Sequence, residues 1–280
     1  MRAVSYAGST ALVTGASSGI GAAFARELAV RGANLALAAL PAEQERLDDL
    51  AAELARRHGI RAAGIGVDLA APDGPHRLQQ AADALDLSAD VLVNSAGIGG
   101  AGPFAHAPLE RELAMINLNV VGLVALTRLY LPRMVARCRG VIVNVGSTAG
   151  LQPMPYFAVY AAGKAFVHSF GQALWAEARR AGVRTVTLCT GPVDTEFHRR
   201  SGDAGREQGL KRRLKQRRLT AEQVVDAALR AVDRDRPVVV MRIPGARPLY
   251  GAAALAAGLA GRRLRLRALE RANRWLFGVR

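Results

Sequence analysis

Tyr160 and Lys164 are the residues of this sequence whose types and spacing best suit proton-transfer chemistry. They are four positions apart in the segment YAAGK, and side chains four apart on a helix lie one turn apart on the same face. The pKa of a free tyrosine is ~10, and a nearby ammonium group lowers it by stabilising the phenolate. The pair therefore predicts a general acid or base. A tyrosine and a lysine at this spacing also occur on ordinary amphipathic surface helices.

The elements that would position this pair follow from the pattern of apolar residues. Short apolar runs alternate with amphipathic helical patterns up to about residue 192. Runs such as DVLVN and GVIVNVGS are apolar on both faces, as in parallel strands covered by helices on each side. Six such strands precede residue 192, and PVVVMRI at 237–243 adds a seventh. We predict an α/β, doubly wound parallel sheet of the Rossmann type, with about seven strands, helices on both faces and a C-terminal helical extension.

The composition favours one domain with an extension. The chain has 280 residues, half of them hydrophobic, which is enough for one substantial core. We predict a domain at 1–247, with a substrate lid at about 192–220, and an extension at 248–280. The N-terminus lacks an uninterrupted apolar run, and no stretch reaches the ~20 apolar residues of a spanning helix, so we expect a cytoplasmic protein. Cys138 and Cys189 have no CxxC partner, which predicts free thiols and no metal site.

The positive charge is concentrated late in the chain. Residues 1–198 carry 17 basic and 16 acidic side chains, whereas residues 199–280 carry 21 and 7. From Gly258 onward, a helical projection places one stripe of arginines apart from the apolar residues; the stripe contains Arg263, Arg267, Arg271 and Arg274. Such a helix can contact an anionic membrane surface, or it can pack on its own domain or on a partner subunit. Few aromatic residues accompany the basic ones, so nucleic acid is not an expected partner.

The segment TGASSGIG, residues 14–21, directly follows the first predicted strand. Its glycines Gly15, Gly19 and Gly21 permit a tight turn and a close backbone approach. The hydroxyls of Ser17 and Ser18, together with the N-terminus of the next helix, offer donors to an anion. Glycines also serve ordinary turns, but this position in a doubly wound sheet is typical of a phosphate site.

Six motifs occur in order along the chain: TGASSGIG, NSAG at 94–97, Asn117 in MINLNV, Ser147 in VNVGSTAG, YAAGK, and GPVDT at 191–195. Together they resemble the short-chain dehydrogenase/reductase family over roughly residues 8–240. The resemblance implies an NAD(P)-dependent oxidoreductase that interconverts a ketone and a secondary alcohol by hydride transfer. A different hypothesis is a catalytically idle dinucleotide-binding or scaffolding protein that acts through its basic C-terminal segment at a membrane or an acidic partner.

The resemblance also implies a catalytic tetrad of Asn117, Ser147, Tyr160 and Lys164. Tyr160 would exchange a proton with the substrate oxygen, and Ser147 would hydrogen-bond the same oxygen. Lys164 would lower the pKa of Tyr160 and bind the nicotinamide ribose. Asn117 would hold a water in a proton relay to Lys164.

The cofactor implied by the resemblance is NADP or NAD. Its expected contacts are Gly15, Ser17, Ser18, Gly19, Ile20, Gly21, Asp68, Leu69, Asn94, Ala96, Gly97, Tyr160, Lys164, Gly191, Val193 and Thr195. The family usually has an acidic residue or an arginine after the second strand to select NAD or NADP. This chain has Ala39 and Leu40 there. An absent carboxylate removes repulsion against a 2′-phosphate, which slightly favours NADP, with Ser18 and the Arg46 region as partners.

The sequence does not identify the carbonyl compound. We expect a small-molecule ketone or alcohol, apolar or acyl-linked, because Phe104, Met154, Tyr156 and Phe157 lie in the loops around the site. The basic lid also permits an acidic acyl carrier protein as the bearer of the substrate. The resemblance implies a homo-dimer or tetramer formed through the helices that hold Asn117 and Tyr160.

Overall fold

A seven-stranded parallel sheet forms the centre of the structure, a computed structural model. Residues 3–195, 197, 218–241, 266, 267, 270, 271 and 274 are described, so most of the predicted lid and extension lies outside them. The strand order is β3-β2-β1-β4-β5-β6-β7. The strands are β1 (Thr10–Thr14), β2 (Asn34–Ala39), β3 (Ala62–Gly66), β4 (Val91–Asn94), β5 (Gly140–Val145), β6 (Val183–Cys189) and β7 (Val238–Val240). The predicted doubly wound sheet is confirmed.

Helices cover both faces of this sheet. They are α1 (Gly19–Val30), α2 (Gln44–His58), α3 (Gly74–Ala84), α4 (Leu109–Ile116), α5 (Leu123–Ala136), α6 (Ala158–Ala178) and α7 (Ala221–Asp233). One core packs α1, α2 and α7 against the sheet, and the other packs α3, α5 and α6. Neighbouring residues of one strand point into different cores: Val13 lies in the first and Leu12 in the second. This alternation explains why the strands are apolar at nearly every position.

The helical stretch Leu109–Ala136 is interrupted by a π-helical segment, Asn117–Gly122, between α4 and α5. By length and composition alone the stretch could cross a membrane. Met115, Leu126 and Tyr130 are buried in the protein, whereas Leu113 and Val121 are exposed, so one side of the stretch packs on the core. A Cβ at Gly122 would lie 2.8 Å from the Leu69 carbonyl oxygen. The π segment therefore passes directly beside the loop that follows β3.

The long helix α6 carries Tyr160 and Lys164 and packs very closely on its neighbours. A Cβ at Gly171 would lie 1.9 Å from Thr187 Oγ1 on β6. A Cβ at Gly150, in the turn after β5, would lie 2.5 Å from the carbonyl carbon of Lys164. Only glycine permits both approaches, and they fix the position of α6 relative to the carboxyl ends of β5 and β6.

Candidate active site

The predicted site residues gather at the carboxyl edge of the sheet, around the point where the chain reverses its winding direction. Strands β1 and β4 are neighbours there, while the chain runs outward from β1 through β2 to β3 on one side and from β4 through β5 to β6 on the other. A doubly wound sheet opens a ligand crevice at such a point. The loops after β1, β4 and β5 border this crevice.

The glycine-rich loop has the close backbone packing that a phosphate-binding turn needs. Gly15 and Gly19 have positive φ angles of 64° and 55°, where glycine is favoured. A Cβ at Gly21 would lie 2.2 Å from the Gly15 carbonyl oxygen, and one at Gly19 would lie 3.1 Å from the Thr195 Cγ2. The loop leads directly into α1, whose first residue is Gly19. This arrangement fits the pyrophosphate of a dinucleotide, because an exposed helix N-terminus favours anions.

A threonine that the sequence analysis did not single out fixes the NSAG segment to this loop. The Thr14 hydroxyl donates to the Val93 carbonyl at 3.2 Å and accepts from the amides of Ser95 and Ala96, each at 3.0 Å. This hydroxyl links the ends of β1 and β4. In the sequence, this residue could have been found as the threonine that opens the segment TGASSGIG.

The remaining predicted cofactor residues have varied environments. Asn94 is buried, and its Nδ2 donates to Asn144 Oδ1 at 2.9 Å, so it supports the sheet from within. Asp68 Oδ1 accepts from the Ala70 amide at 2.9 Å. Val193 is buried and pairs with Leu219 in an isolated β-bridge. The others are distributed along the same edge: Leu69 is buried, whereas Ser17, Ser18, Ile20 and Gly191 are partly exposed.

Ser147, Tyr160 and Lys164 come together as predicted. Ser147 begins the 3-10 turn Thr148–Leu151, where its Oγ accepts from the Ala149 amide at 3.1 Å. A side-chain hydrogen bond joins Ser147 to Tyr160. The Lys164 Nζ lies 5.8 Å from the centre of the Tyr160 ring and donates to the Val145 carbonyl at 2.9 Å. Two hydroxyls and one ammonium group thus converge just beyond the end of β5.

The pKa values in this cluster differ from the expectation. Burial raises the pKa of Tyr160, and the hydrogen bond to Ser147 opposes that increase. Lys164 is itself buried, which lowers the pKa of its ammonium group to about 8. The expected lowering of the Tyr160 pKa by Lys164 is therefore not what the structure shows, because the ammonium group bonds to a carbonyl and desolvation dominates at both residues. Tyr160 is a protonated phenol at neutral pH.

Asn117 does not join this cluster, and Asn119 takes its place. Asn117 is exposed. Asn119 is buried, and its side-chain amide accepts from the Ile98 amide at 3.0 Å and donates to the Ile98 carbonyl at 2.8 Å. A Cβ at Gly97 would lie 3.0 Å from Asn119 Oδ1 and 3.8 Å from Lys164 Nζ. Gly97 therefore keeps open the space between these two polar groups.

The assignment of Asn117 was wrong because the segment MINLNV contains two asparagines and the motif alone does not separate them. Their helical phase does, since Asn119 lies four residues after the buried Met115 and shares its face. Asn117 lies on a different face.

Glu43 is a second residue that the sequence analysis missed. The Ser17 hydroxyl donates to Glu43 Oε2 at 2.5 Å. Glu43 ends a short 3-10 turn, Pro41–Glu43, which follows β2. The expectation for the adenosine end of the cofactor considered only Ala39 and Leu40, and the Glu43 carboxylate lies in the turn that follows them. The available signal was the spacing, because an acidic residue about 20 residues beyond the glycine-rich loop is typical of dinucleotide-binding sites.

The fold and the site together define a dinucleotide-binding protein of the doubly wound class. The sequence profile of the short chain dehydrogenase family matches residues 9–205. The chain belongs to this family, whose cofactor is NAD or NADP.

Individual relatives are similar over different lengths. The chain is 38% identical over 181 residues to the very-long-chain 3-oxoacyl-CoA reductase of Anas platyrhynchos, covering 63% of this chain and 57% of that protein. It thus matches little more than half the length of that relative. A solved short-chain dehydrogenase from Sphingobium yanoikuyae in complex with NADPH is 33% identical, with a TM-score of 0.75 and coverage of 93% and 95%. The bulky-bulky ketone specific alcohol dehydrogenase from Comamonas testosteroni is 28% identical, with a TM-score of 0.73 and coverage of 91% and 94%.

The two asparagines give a direct test of the corrected site. We predict that Asn119→Ala destabilises the protein by about 2 kcal/mol, because it leaves the amide and carbonyl of Ile98 without their partner. Asn117→Ala is the matched control and should change the free energy of unfolding by less than about 0.5 kcal/mol, as expected at an exposed position. Urea unfolding of both variants measures the difference. A larger loss at Asn117 would contradict the corrected assignment.

Proposed function

We propose that the protein is an NAD(P)-dependent oxidoreductase that interconverts a ketone and a secondary alcohol, with Tyr160 as the general acid and base. The observation that carries this proposal is the convergence of Ser147, Tyr160 and Lys164 beside a glycine-rich loop at the switch point of the sheet. A bound nicotinamide would supply or accept the hydride. A protein that only bound the dinucleotide would have no chemical need for these three side chains together.

Each side chain has a role that follows from its surroundings. Tyr160 is held protonated by burial, so in the reducing direction it can donate its proton to the substrate oxygen. Ser147 bonds to Tyr160 and can stabilise developing negative charge on that oxygen. Lys164 supplies a buried positive charge that can restore the proton to Tyr160 and bind the ribose hydroxyls. Asn119, next to Gly97 and Lys164, takes the relay role first assigned to Asn117.

The substrate that we propose is an apolar 3-oxoacyl chain carried as a thioester. The rings of Phe157 and Phe197 each lie 6.1 Å from that of Tyr160, centre to centre. These rings give the catalytic hydroxyl an apolar environment suited to an aliphatic chain. The 3-oxoacyl-CoA reductase and the bulky-ketone dehydrogenase among the relatives support this class.

Replacing Tyr160 by phenylalanine tests the reaction. We predict that Tyr160→Phe lowers kcat for reduction of a 3-oxoacyl thioester by about 100- to 10,000-fold, the usual contribution of general acid catalysis. Cofactor affinity, followed by nicotinamide fluorescence, should remain close to that of the wild type. The matched control is Tyr130→Phe, because the Tyr130 hydroxyl is buried without a hydrogen-bond partner among the described residues and lies outside the site.

The alternative function, dinucleotide binding without turnover, predicts a different result. The wild type would then bind NADPH or NADH but reduce none of a panel of ketones and thioesters, and Tyr160→Phe would change nothing measurable. Full turnover by Tyr160→Phe would contradict the proposed acid.

We propose that the protein prefers NADP over NAD, and that the Glu43 carboxylate makes this preference smaller. The 33% identical solved relative is a complex with NADPH, and no acidic residue stands directly at the end of β2, where Ala39 and Leu40 lie. The Glu43 carboxylate nevertheless bonds to Ser17 in the loop that would hold the adenosine end of the cofactor. A carboxylate there would repel a 2′-phosphate and accept a hydrogen bond from a ribose hydroxyl.

Neutralising Glu43 tests this influence. We predict that Glu43→Gln tightens NADPH binding by about fivefold relative to NADH, since one charge repulsion near the surface is worth about 1 kcal/mol. Parallel fluorescence titrations with NADPH and NADH measure the ratio. Glu45→Gln, at an exposed neighbouring position, is the control for a general loss of negative charge. An unchanged ratio in Glu43→Gln would remove Glu43 from the cofactor site.

We also propose that the chain forms a homo-dimer or tetramer through α4, α5 and α6. A surface trough of about 410 Å³ lies between the end of α4, the π-helical segment that leads into α5, and α6. Its lining is strongly apolar and includes Phe104, Ile116, Val120 and Phe166, of which Phe166 is 41% exposed. A second copy would bury this surface, as the resemblance to the family implies.

A charge in the trough should prevent this association. We predict that Phe166→Glu shifts the protein to a monomer, because burying an unpaired carboxylate in an apolar interface is strongly unfavourable. Light scattering coupled to gel filtration measures the mass. Val30→Glu, at an exposed valine on α1, is the control on the opposite face of the sheet. A wild type that is monomeric at micromolar concentration would contradict the proposal.

The location and the domain boundaries stay predictions. We propose a cytoplasmic protein that contacts a membrane peripherally through residues 248–280, most of which lie outside the described residues. Flotation of the full chain with anionic liposomes, compared with a chain ending at Ile243, tests the membrane contact.

A further inference from the structure

Tyr156 is held in an unusual backbone conformation at the edge of the substrate side. Its φ angle is +68°, a region that is unfavourable for a non-glycine residue and that persists where surrounding contacts enforce it. Two such contacts are present. Its carbonyl accepts from the Gly102 amide at 2.8 Å, and its hydroxyl donates to Glu270 Oε1 at 3.0 Å. Tyr156 therefore joins the loop after β4, the loop before α6 and the C-terminal extension.

The extension brings positive charge to this contact. The described residues around Glu270 have helical backbone, and Arg274 Nε lies 3.7 Å from Glu270 Oε1. Arg267 and Arg274 are three and four residues from Glu270 on either side, so all three share the helix face that meets Tyr156. Both arginines are exposed. One carboxylate thus anchors the segment, while two guanidinium groups flank the anchor.

This charged face lies beside the candidate substrate pocket. A cavity of about 160 Å³ is lined by Gly102, Tyr156 and Phe157, together with Arg111 and Glu112. Phe157 is the residue whose ring packs against that of Tyr160. The hydroxyl of Tyr156 therefore connects the wall of this cavity to the segment carrying Arg267 and Arg274.

We propose that Arg267 and Arg274, positioned by the bond between Glu270 and Tyr156, bind the phosphate groups of the substrate's thioester carrier. The proposal rests on the proposed function and names the anionic end of its substrate. Guanidinium groups bind phosphate through paired, charge-assisted hydrogen bonds. The aromatic rings beside Tyr160 take the acyl chain, while the arginines take the polar end outside the cavity. Glu270 and Tyr156 are positioning residues, since they act through the helix that they anchor.

The test compares two thioesters of the same 3-oxoacyl chain with the full-length protein. One is linked to coenzyme A, which carries phosphates, and the other to N-acetylcysteamine, which carries none. We expect the double variant Arg267→Gln/Arg274→Gln to raise KM at least tenfold for the coenzyme A thioester only. Its kcat should not change for either thioester, and the salt dependence of kcat/KM for the coenzyme A thioester should weaken. Arg271→Gln, one residue from Glu270 on a different face, is the matched control and should behave as the wild type.

The anchor is tested by Tyr156→Phe, which removes only the hydroxyl. We expect the same selective increase in KM for the coenzyme A thioester, because the arginines lose their fixed position. A merely structural role of Tyr156 would instead alter both thioesters equally. Equal effects on both thioesters, or no effect on either, would overturn the proposal.

A binding measurement separates this proposal from the proposed function. Free coenzyme A, titrated calorimetrically into the NADPH-loaded protein, should bind the wild type and Arg271→Gln, with affinity reduced at least tenfold in the double variant. If the wild type reduces neither thioester but shows this pattern, the proposed substrate fails and the phosphate site stands. If both thioesters are reduced with equal KM and free coenzyme A binds all variants equally or none, the site fails and the reductase stands.

Discussion

The close packing of α6 against the ends of β5 and β6 is the constraint on which the rest of the site depends. Gly171 and Gly150 permit backbone approaches that any Cβ would block. Because the turn after β5 meets α6 at Lys164, Ser147, two residues beyond the end of the strand, lies within hydrogen-bonding reach of Tyr160, one helical turn before the lysine. A displacement of the helix by the thickness of one methyl group would separate these hydroxyls, which in the proposed reaction act on a single substrate oxygen.

The same packing buries a positive charge. Lys164 is almost fully enclosed, and its ammonium group donates to the carbonyl of the last residue of β5. An ammonium group normally has three donors to satisfy, so its burial is unfavourable and its pKa falls to about 8. In the proposed reaction, this lowered pKa suits Lys164 to return a proton to Tyr160. Burial acts oppositely on Tyr160, because it raises the pKa of the phenol. The same desolvation thus lowers the pKa of the ammonium group and raises that of the phenol.

The sequence predicted those features that depend on local chemistry. Parallel strands covered on both faces are apolar throughout, and glycines mark backbone contacts, so the sheet, the loop and the pair Tyr160 and Lys164 could be located. The motif alone did not separate Asn119 from Asn117, because the choice depends on which helix face is buried, and the burial of Met115 on the face of Asn119 is visible only in the structure. The sequence analysis missed Glu43 because this residue lies in a turn beyond the end of β2, and its side chain reaches Ser17 from there.

The contact between Tyr156 and Glu270 is a third feature, after Asn119 and Glu43, that the sequence analysis did not predict. The two residues are 114 positions apart in the chain. No local pattern indicates such a contact. Under the proposed function it has a consequence, because the proton-transfer residues and the residues that bind the substrate's carrier then belong to different parts of the chain. The residues proposed to transfer protons lie on the sheet edge and on α6, whereas Glu270, in the described part of the extension, contacts Tyr156 in the loop that precedes α6. Changes in the extension can therefore alter which substrate is held while leaving the geometry of Ser147 and Tyr160 intact. This separation matches a fold in which function is determined by loops and additions around a constant core.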